Sequence, residues 1–267
     1  YLMVNNAYYP PEAASMRDFE PIAKTQAPIV VSHRGNTKGE KSDIPENTPQ
    51  AIEAAIQAGF EWVEVDIQLT ADAIPVLFHN SEIKDKNGEL ADIGDLPFET
   101  ICAIRGDDKT ISLAEALERY LDQIGFLIEV KPQKQIDRNY QVNRKISELI
   151  QDHPLKHKIM VDSFNQLSTM FIKNRCDCVV GFDAPYKKKL SIDDLKAIRM
   201  MDMDWVYVHH EAANPDLIEN AHEMGLRVMV YTINDPALLN QWDAEVFPDG
   251  IMTDYAGIQQ KILQKFQ

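Results

Sequence analysis

The sequence predicts an α/β protein of the (β/α)8 barrel class, with a small extra hairpin strand near the barrel mouth. Three observations carry this. Short β-rich runs alternate with helical patterns from Ala27 to the C-terminus. The 267 residues suit a single barrel unit. No G-x-G-x-x-G turn follows the first run, which weighs against an open doubly wound sheet, the competing arrangement.

Residues 1–26 form a polar lead without periodic patterning, and 27–267 form one domain with no Gly-, Pro- or Ser-rich linker. The chain opens at Tyr1, so the expectation is a trimmed N-terminus and an extracytoplasmic location after removal of an export signal. The predicted strands are PIVVSH, WVEVDIQL, FLIEVK, IMVDSF, CVVGFD, WVYVHH, RVMVYTI and GIMTDY. Between them run helical segments, TPQAIEAAIQAG, SLAEALERYLDQ, NRKISELIQDH, QLSTMFIKNR, IDDLKAIRMMD, PDLIENAHEMG and DPALLNQWDA, and AGIQQKILQKF closes the chain. In the first helix Thr48 is the cap, Pro49 suits the first turn and Gly59 the stop. Ile52, Ala55, Ile56 and Phe60 share its sheet-facing stripe. AIPVLFHN follows the second strand with no helix between, which predicts the extra hairpin strand.

Charge narrows the partners. There are 27 Lys and Arg against 42 Asp and Glu, a net charge of −15 and a pI near 4.8. Such a chain does not offer the basic surface that nucleic acid requires, and anionic membranes repel it. No apolar run reaches the ~20 residues of a membrane span, so no stable membrane insertion is expected. Cys102, Cys176 and Cys178 fit neither a disulfide framework nor a zinc spacing, and read as buried or idle thiols.

The chemistry concentrates at strand ends. In WVEVDIQL, alternation puts Val63, Val65 and Ile67 on the helix-facing side and Glu64, Asp66 and Gln68 inside the barrel. Inward carboxylates repel one another unless a cation sits between them. Their hard oxygens suit one divalent cation, Mg²⁺ or Ca²⁺. FLIEVK repeats the pattern, with Glu129 as a third ligand and Lys131 beside it. His33 and His79 end the first strand and the extra run, where one imidazole can take a proton while the other gives one. Arg34 and Lys131 are placed to hold an anion, and the guanidinium fork matches phosphate.

The order HRG, PENT, EVDIQLTAD, PVLFHN, IEVK, DSF, TIND and DGIMTD resembles the glycerophosphodiester phosphodiesterase family, from Ala27 to Asp254. The resemblance implies a TIM-barrel, metal-dependent hydrolase that cleaves small-molecule glycerophosphodiesters to an alcohol and glycerol phosphate. It matches His33 and His79 to an acid/base pair and Glu64, Asp66 and Glu129 to metal ligands. Arg34 and Lys131 correspond to phosphate contacts, and Glu46 and Asn47 to a polar corner lining the pocket. Phe164 corresponds to a substrate-packing aromatic. Tyr231 stands where the family commonly has tryptophan, and Asn80 where it usually has Asp after the second histidine. A charged insert, TKGEKSD, separates HRG from PENT. The competing readings are a phospholipase-type phosphodiesterase acting on lysophospholipids or phosphoinositides, which an apolar rim at the barrel mouth would favour, and a catalytically weakened phosphate-ester-binding protein. The nucleophile is either water or a vicinal hydroxyl of the substrate.

Overall fold

The computed structural model describes residues 21–22, 27–106 and 109–266, so all but two residues of the lead expected over 1–26 lie outside the described residues. In chain order the strands are β1 (Ile29–Ser32), β2 (Trp62–Leu69), β3 (Pro75–Leu77), β4 (Glu82–Lys84), β5 (Leu90–Asp92), β6 (Gly125–Val130), β7 (Ile159–Ser163), β8 (Val179–Asp183), β9 (Trp205–His209), β10 (Arg227–Tyr231) and β11 (Gly250–Thr253). The helices are α1 (Pro49–Gln57), α2 (Phe98–Arg105), α3 (Leu113–Tyr120), α4 (Ile136–Ile150), α5 (Gln166–Cys176), α6 (Ile192–Met200), α7 (Pro215–Glu223) and α8 (Ala256–Lys265). β1, β2 and β6 to β11 pair in parallel in that order, and β11 returns to β1, closing the barrel. All eight predicted barrel strands are present.

Alternation sorts the side chains as the sequence implies. Val63, Val65, Ile67, Phe126, Ile128 and Val180 face outward into the main core with Ile52 and Ala55 of α1. Inside, Val31, Leu127, Met160, Trp205, Tyr207, Met229 and Met252 fill the lower barrel as a separate apolar plug. Further along the same inward rows, towards the strand C-termini, come Glu64, Asp66, Asp162 and Asp183, all buried. Gly181 makes room for the plug, since a Cβ there would stand 1.8 Å from the Tyr207 ring.

The extra strand is a hairpin partner, as expected. β1 accompanies β2 only at Val31–Trp62 and Ser32–Val63, and β3 takes over antiparallel from Ile67–Leu77 to Leu69–Pro75. The gap between them is closed by a side chain, because the Asp66 amide donates to Asn47 Oδ1 at 3.0 Å. The α1 cap forms as predicted, with Thr48 Oγ1 accepting from the Ala51 amide at 3.1 Å.

Two readings are corrected. DPALLNQWDA is not an α-helix but two 3₁₀ turns, Pro236–Gln241 and Ala244–Val246. Its buried anchors, Leu239 and Trp242, are three residues apart, the repeat of a 3₁₀ turn. The other correction concerns extent: α2 is additional, and α4 begins at Ile136, ahead of the predicted NRKISELIQDH. The structure also adds a β4–β5 hairpin in SEIKDKNGEL, its turn built by Asp85 Oδ1, which accepts from the Asn87 and Glu89 amides at 2.8 and 2.9 Å.

Replacing Gly181 by Ala should destabilise the protein by about 1–3 kcal/mol through the clash with Tyr207. Gly257→Ala, in α8 with open space around it, should be neutral or stabilising by up to about 1 kcal/mol. Denaturant midpoints measure both, and equal midpoints for the two variants would contradict the packing described.

Candidate active site

The mouth of the barrel is organised by the turn that ends β1. Arg34 adopts φ 55° and Gly35 φ 75°. A Cβ on Gly35 would stand 2.7 Å from the Ala51 backbone, so the close approach of α1 requires glycine. The turn is pinned from β2, where Glu64 Oε2 accepts from the Arg34 amide at 2.9 Å. It is also pinned from the loop before α1, since the Asn47 amide donates to the Arg34 carbonyl at 3.1 Å. His33 leaves this turn towards β11, with Nδ1 2.8 Å from Asp254 Oδ1. Asp254 is itself held by Asn234, which bonds its carboxylate and accepts from its amide at 2.9 Å. Burial raises the Asp254 carboxyl's pKa, but the bond and charge of His33, with the Asn234 bond and the Arg34 charge, together outweigh this and hold it below the usual range.

The charged insert is tied down beside this pair. The Gly39 amide donates to the Asp254 carbonyl at 2.9 Å, the Ala256 amide donates to Thr37 at 3.0 Å, and Lys38 bridges to Tyr255. Gly39 lies flat against the Tyr255 ring, where a Cβ would come within 2.0 Å.

At the centre, Glu64, Asp66 and Glu129 bring ligand oxygens within 4.8 Å of one another, so the structure assembles the three predicted ligands. Asp66 is fully buried, yet its pKa falls to about 2. Burial opposes ionisation, and Lys131 at 2.6 Å and Arg34 Nε at 3.2 Å more than offset it. Asn47 Nδ2 adds a bond at 2.7 Å. Lys131 also pairs with Glu129, and burial's downward pull on the ammonium is outweighed by the two carboxylates. Glu64 is pushed well above the usual carboxylate range by burial, then by Asp66 and Glu129. Glu64 Oε1 is buried with no hydrogen-bond partner among the described residues. Three convergent hard oxygens, one of them orphaned, fit a divalent cation.

His79 sits across the site at the end of the β3 run. Its Nδ1 is 2.9 Å from Asn80 Oδ1, a pure acceptor, so Nδ1 carries the hydrogen and Nε2 keeps its lone pair. Burial lowers the imidazole pKa, and Lys131 and Arg34 add to this against the pull of Asp66. Gln68 holds the His79 carbonyl at 3.2 Å, and Gln133 bonds Gln68 at 3.3 Å. Glu46 forks to Arg34 at 3.1 Å, while Arg105 from α2 ties down the Glu46 carbonyl at 2.8 Å. Phe164 is exposed beyond β7, and Tyr231 donates to the Ala184 carbonyl at 3.3 Å, where burial and then the charges of Asp183 and Glu129 raise its phenol's pKa.

Sequence reasoning passed over Asp254, Asn234, Gln68, Gln133 and Arg105 as site residues. Asp254 was readable by parity, since it lies two residues past inward-facing Met252. Arg105 was not, because it comes from a helix the sequence reading missed.

Residues 33–258 match the model of the glycerophosphoryl diester phosphodiesterase family. A glycerophosphodiester phosphodiesterase of Caldanaerobacter subterraneus is 24% identical over 85% of this chain and 93% of its own. Among solved structures, a glycerophosphodiester phosphodiesterase of Parabacteroides distasonis superposes with a TM-score of 0.76 at 22% identity, covering 91% of this chain and 100% of that one. An Oleispira antarctica phosphodiesterase, solved with its product sn-glycerol-3-phosphate, gives 0.72 at 23% identity, covering 88% and 97%. The structural matches establish the barrel. The family match covers most of the chain, and the protein belongs to the glycerophosphoryl diester phosphodiesterase family.

An NMR titration of the ring protons should find His79 below the ordinary histidine value of about 6.5. Asn80→Asp should raise it by about one unit, because a carboxylate beside Nδ1 favours the imidazolium. An unchanged His79 titration in that variant would contradict the environment described.

Proposed function

We propose that this chain, a phosphoric diester hydrolase, cleaves glycerophosphodiesters to an alcohol and glycerol phosphate with one divalent cation, Mg²⁺ or Ca²⁺. The observation that carries this is the cluster of Glu64, Asp66 and Glu129, whose ligand oxygens lie within 4.8 Å of one another, between two strand-tip histidines. These three residues would hold the cation, which when bound supplies electrophilic polarisation of the phosphodiester. Arg34 and Lys131 are anchored on Asp66 and flank the carboxylates as two permanent positive charges. From there they orient the phosphoryl oxygens and stabilise charge that develops on them.

His79 starts as the base. Its depressed pKa keeps the ring neutral, and Asn80 fixes the tautomer whose Nε2 accepts a proton. The nucleophile it deprotonates is either water or a vicinal hydroxyl of the substrate. His33 starts as the acid and protonates the leaving oxygen. Asp254 orients its ring and offsets the charge the imidazole carries while it holds two protons. After bond cleavage the two exchange roles. Asn80 therefore suits the base as a neutral acceptor, and it does not argue for a weakened binding protein.

One observation favours the phospholipase-type reading of the same site. Ile136, Tyr140, Phe164, Leu167 and Tyr186 are exposed large apolar residues. All lie in the segments that follow the C-terminal ends of β6, β7 and β8. Exposed apolar side chains in those segments suit a substrate carrying an acyl chain. Among the described residues no helix is long and apolar enough to cross a membrane.

Release of glycerol phosphate, assayed with Mg²⁺ or Ca²⁺ present, tests the reading. His33→Ala and His79→Ala should each lose about 10²–10⁴-fold in kcat. Wild-type-like turnover in either variant would refute the acid/base assignment. In a parallel assay that reads the released head-group alcohol, preference for an acyl-free glycerophosphodiester supports the main reading, and preference for a lysophospholipid supports the second.

A further inference from the structure

Two carboxyl groups inside the barrel take no part in that chemistry. Asp162 of β7 and Asp183 of β8 are 2% and 4% exposed. Both lie on inward rows, and Asp162 stands directly opposite Glu129 in the β6–β7 register. They are within hydrogen-bonding reach of one another, and burial, then mutual repulsion for Asp162 and the charge of Glu129 for Asp183, drives both pKa values well up. Asp162 Oδ1 and Asp183 Oδ2 have no partner among the described residues.

A third buried group lies beside the pair. Tyr207 is fully buried, and its hydroxyl has no partner among the described residues. Tyr207 lies opposite Asp183 in the β8–β9 register, and its ring crosses the slot that Gly181 leaves open. Gly181 is in turn the neighbour of Asp162 across β7–β8, so the ring reaches over glycine towards that carboxyl. After burial, the charges of Asp162 and Asp183 are the next influences on the phenol. A phenol and two carboxylate oxygens, buried on neighbouring strands, thus all lack a partner among the described residues.

We propose that Asp162, Asp183 and the Tyr207 hydroxyl form a second divalent-cation site, sharing the wall provided by Glu129 with the first. The proposal rests on the reading of Glu64, Asp66 and Glu129 as the first site. All three donors are hard oxygens, as Mg²⁺ and Ca²⁺ require. Charge balance points the same way. Fully ionised, Glu64, Asp66, Glu129, Asp162 and Asp183 would set five negative charges against Arg34 and Lys131, the permanent cations paired with this group among the described residues, which leaves three. One divalent ion reduces the excess to one, and a bound phosphodiester returns it to two. A second divalent ion makes the loaded site neutral, and uncompensated charge is costly at this burial. The competing arrangement is one proton held between Asp162 and Asp183.

Counting bound ions separates the two. With Ca²⁺ alone or Mg²⁺ alone, to about 10 mM and so above the range of weak calcium sites, equilibrium dialysis of the wild-type chain should find two ions. The double variant Asp162→Asn/Asp183→Asn should bind one. Tyr207→Phe, which keeps the ring over Gly181, should weaken the second ion at least tenfold and leave the first unchanged. A wild-type count of one that Glu64→Gln abolishes overturns this proposal and leaves the proposed function standing. A count of zero overturns both. Two ions bound by the double variant would also overturn it, and the wild-type count decides even if that variant fails to fold.

Discussion

A fully buried carboxylate, Asp66, is the constraint on which the mouth of this barrel depends. Its charge must be answered from several sides at once, because an ionised group without partners does not persist in a dry interior. Lys131 of the strand next door, Arg34 of the β1 turn and Asn47 of the loop before α1 each supply a donor. Those three contacts fix the relative positions of three chain segments. Asn47 serves twice, since it also completes the backbone ladder of β2 where β1 has left it and β3 has not yet arrived. Fold closure and the arrangement of candidate ligands are therefore one structural problem with one solution.

The same compensation spreads outward in layers. Arg34, committed to Asp66, is forked by Glu46, whose carbonyl is held by Arg105. Glu64, with no ion-pair partner among the described residues, caps the amide of the Arg34 turn with one oxygen, and its other oxygen has no hydrogen-bond partner among them. Each histidine has an oxygen on Nδ1, but the two oxygens differ in charge. Asp254 faces His33 with a carboxylate, and Asn80 faces His79 with a neutral amide. That asymmetry sets the two imidazoles in one mouth against different acceptors, which suits the opposite acid and base roles proposed for them.

Much of this was legible in the sequence because parity is a strict rule in a barrel strand. Once Val63, Val65 and Ile67 are assigned to the helix side, Glu64 and Asp66 have only the barrel interior to face, and the structure places them there. The same rule applied to IMVDSF and CVVGFD puts Asp162 and Asp183 inside, a consequence the motif-led reading did not draw. What the sequence concealed depends on contacts between distant segments. The insert TKGEKSD read as a loop of unknown purpose, because nothing local says that Gly39 will lie against Tyr255. DPALLNQWDA has a helical composition, and the burial of Leu239 and Trp242 overrides that propensity.

The central claim is that phosphodiester cleavage in this mouth depends on a cation answering the carboxylates that Arg34 and Lys131 leave uncompensated. The direct measurement is release of glycerol phosphate from a glycerophosphodiester, followed before chelation, after removal of divalent ions, and again after Mg²⁺ or Ca²⁺ is restored. The account predicts that turnover falls by orders of magnitude on chelation and returns with the ion. Turnover that persists unchanged in excess chelator would contradict it.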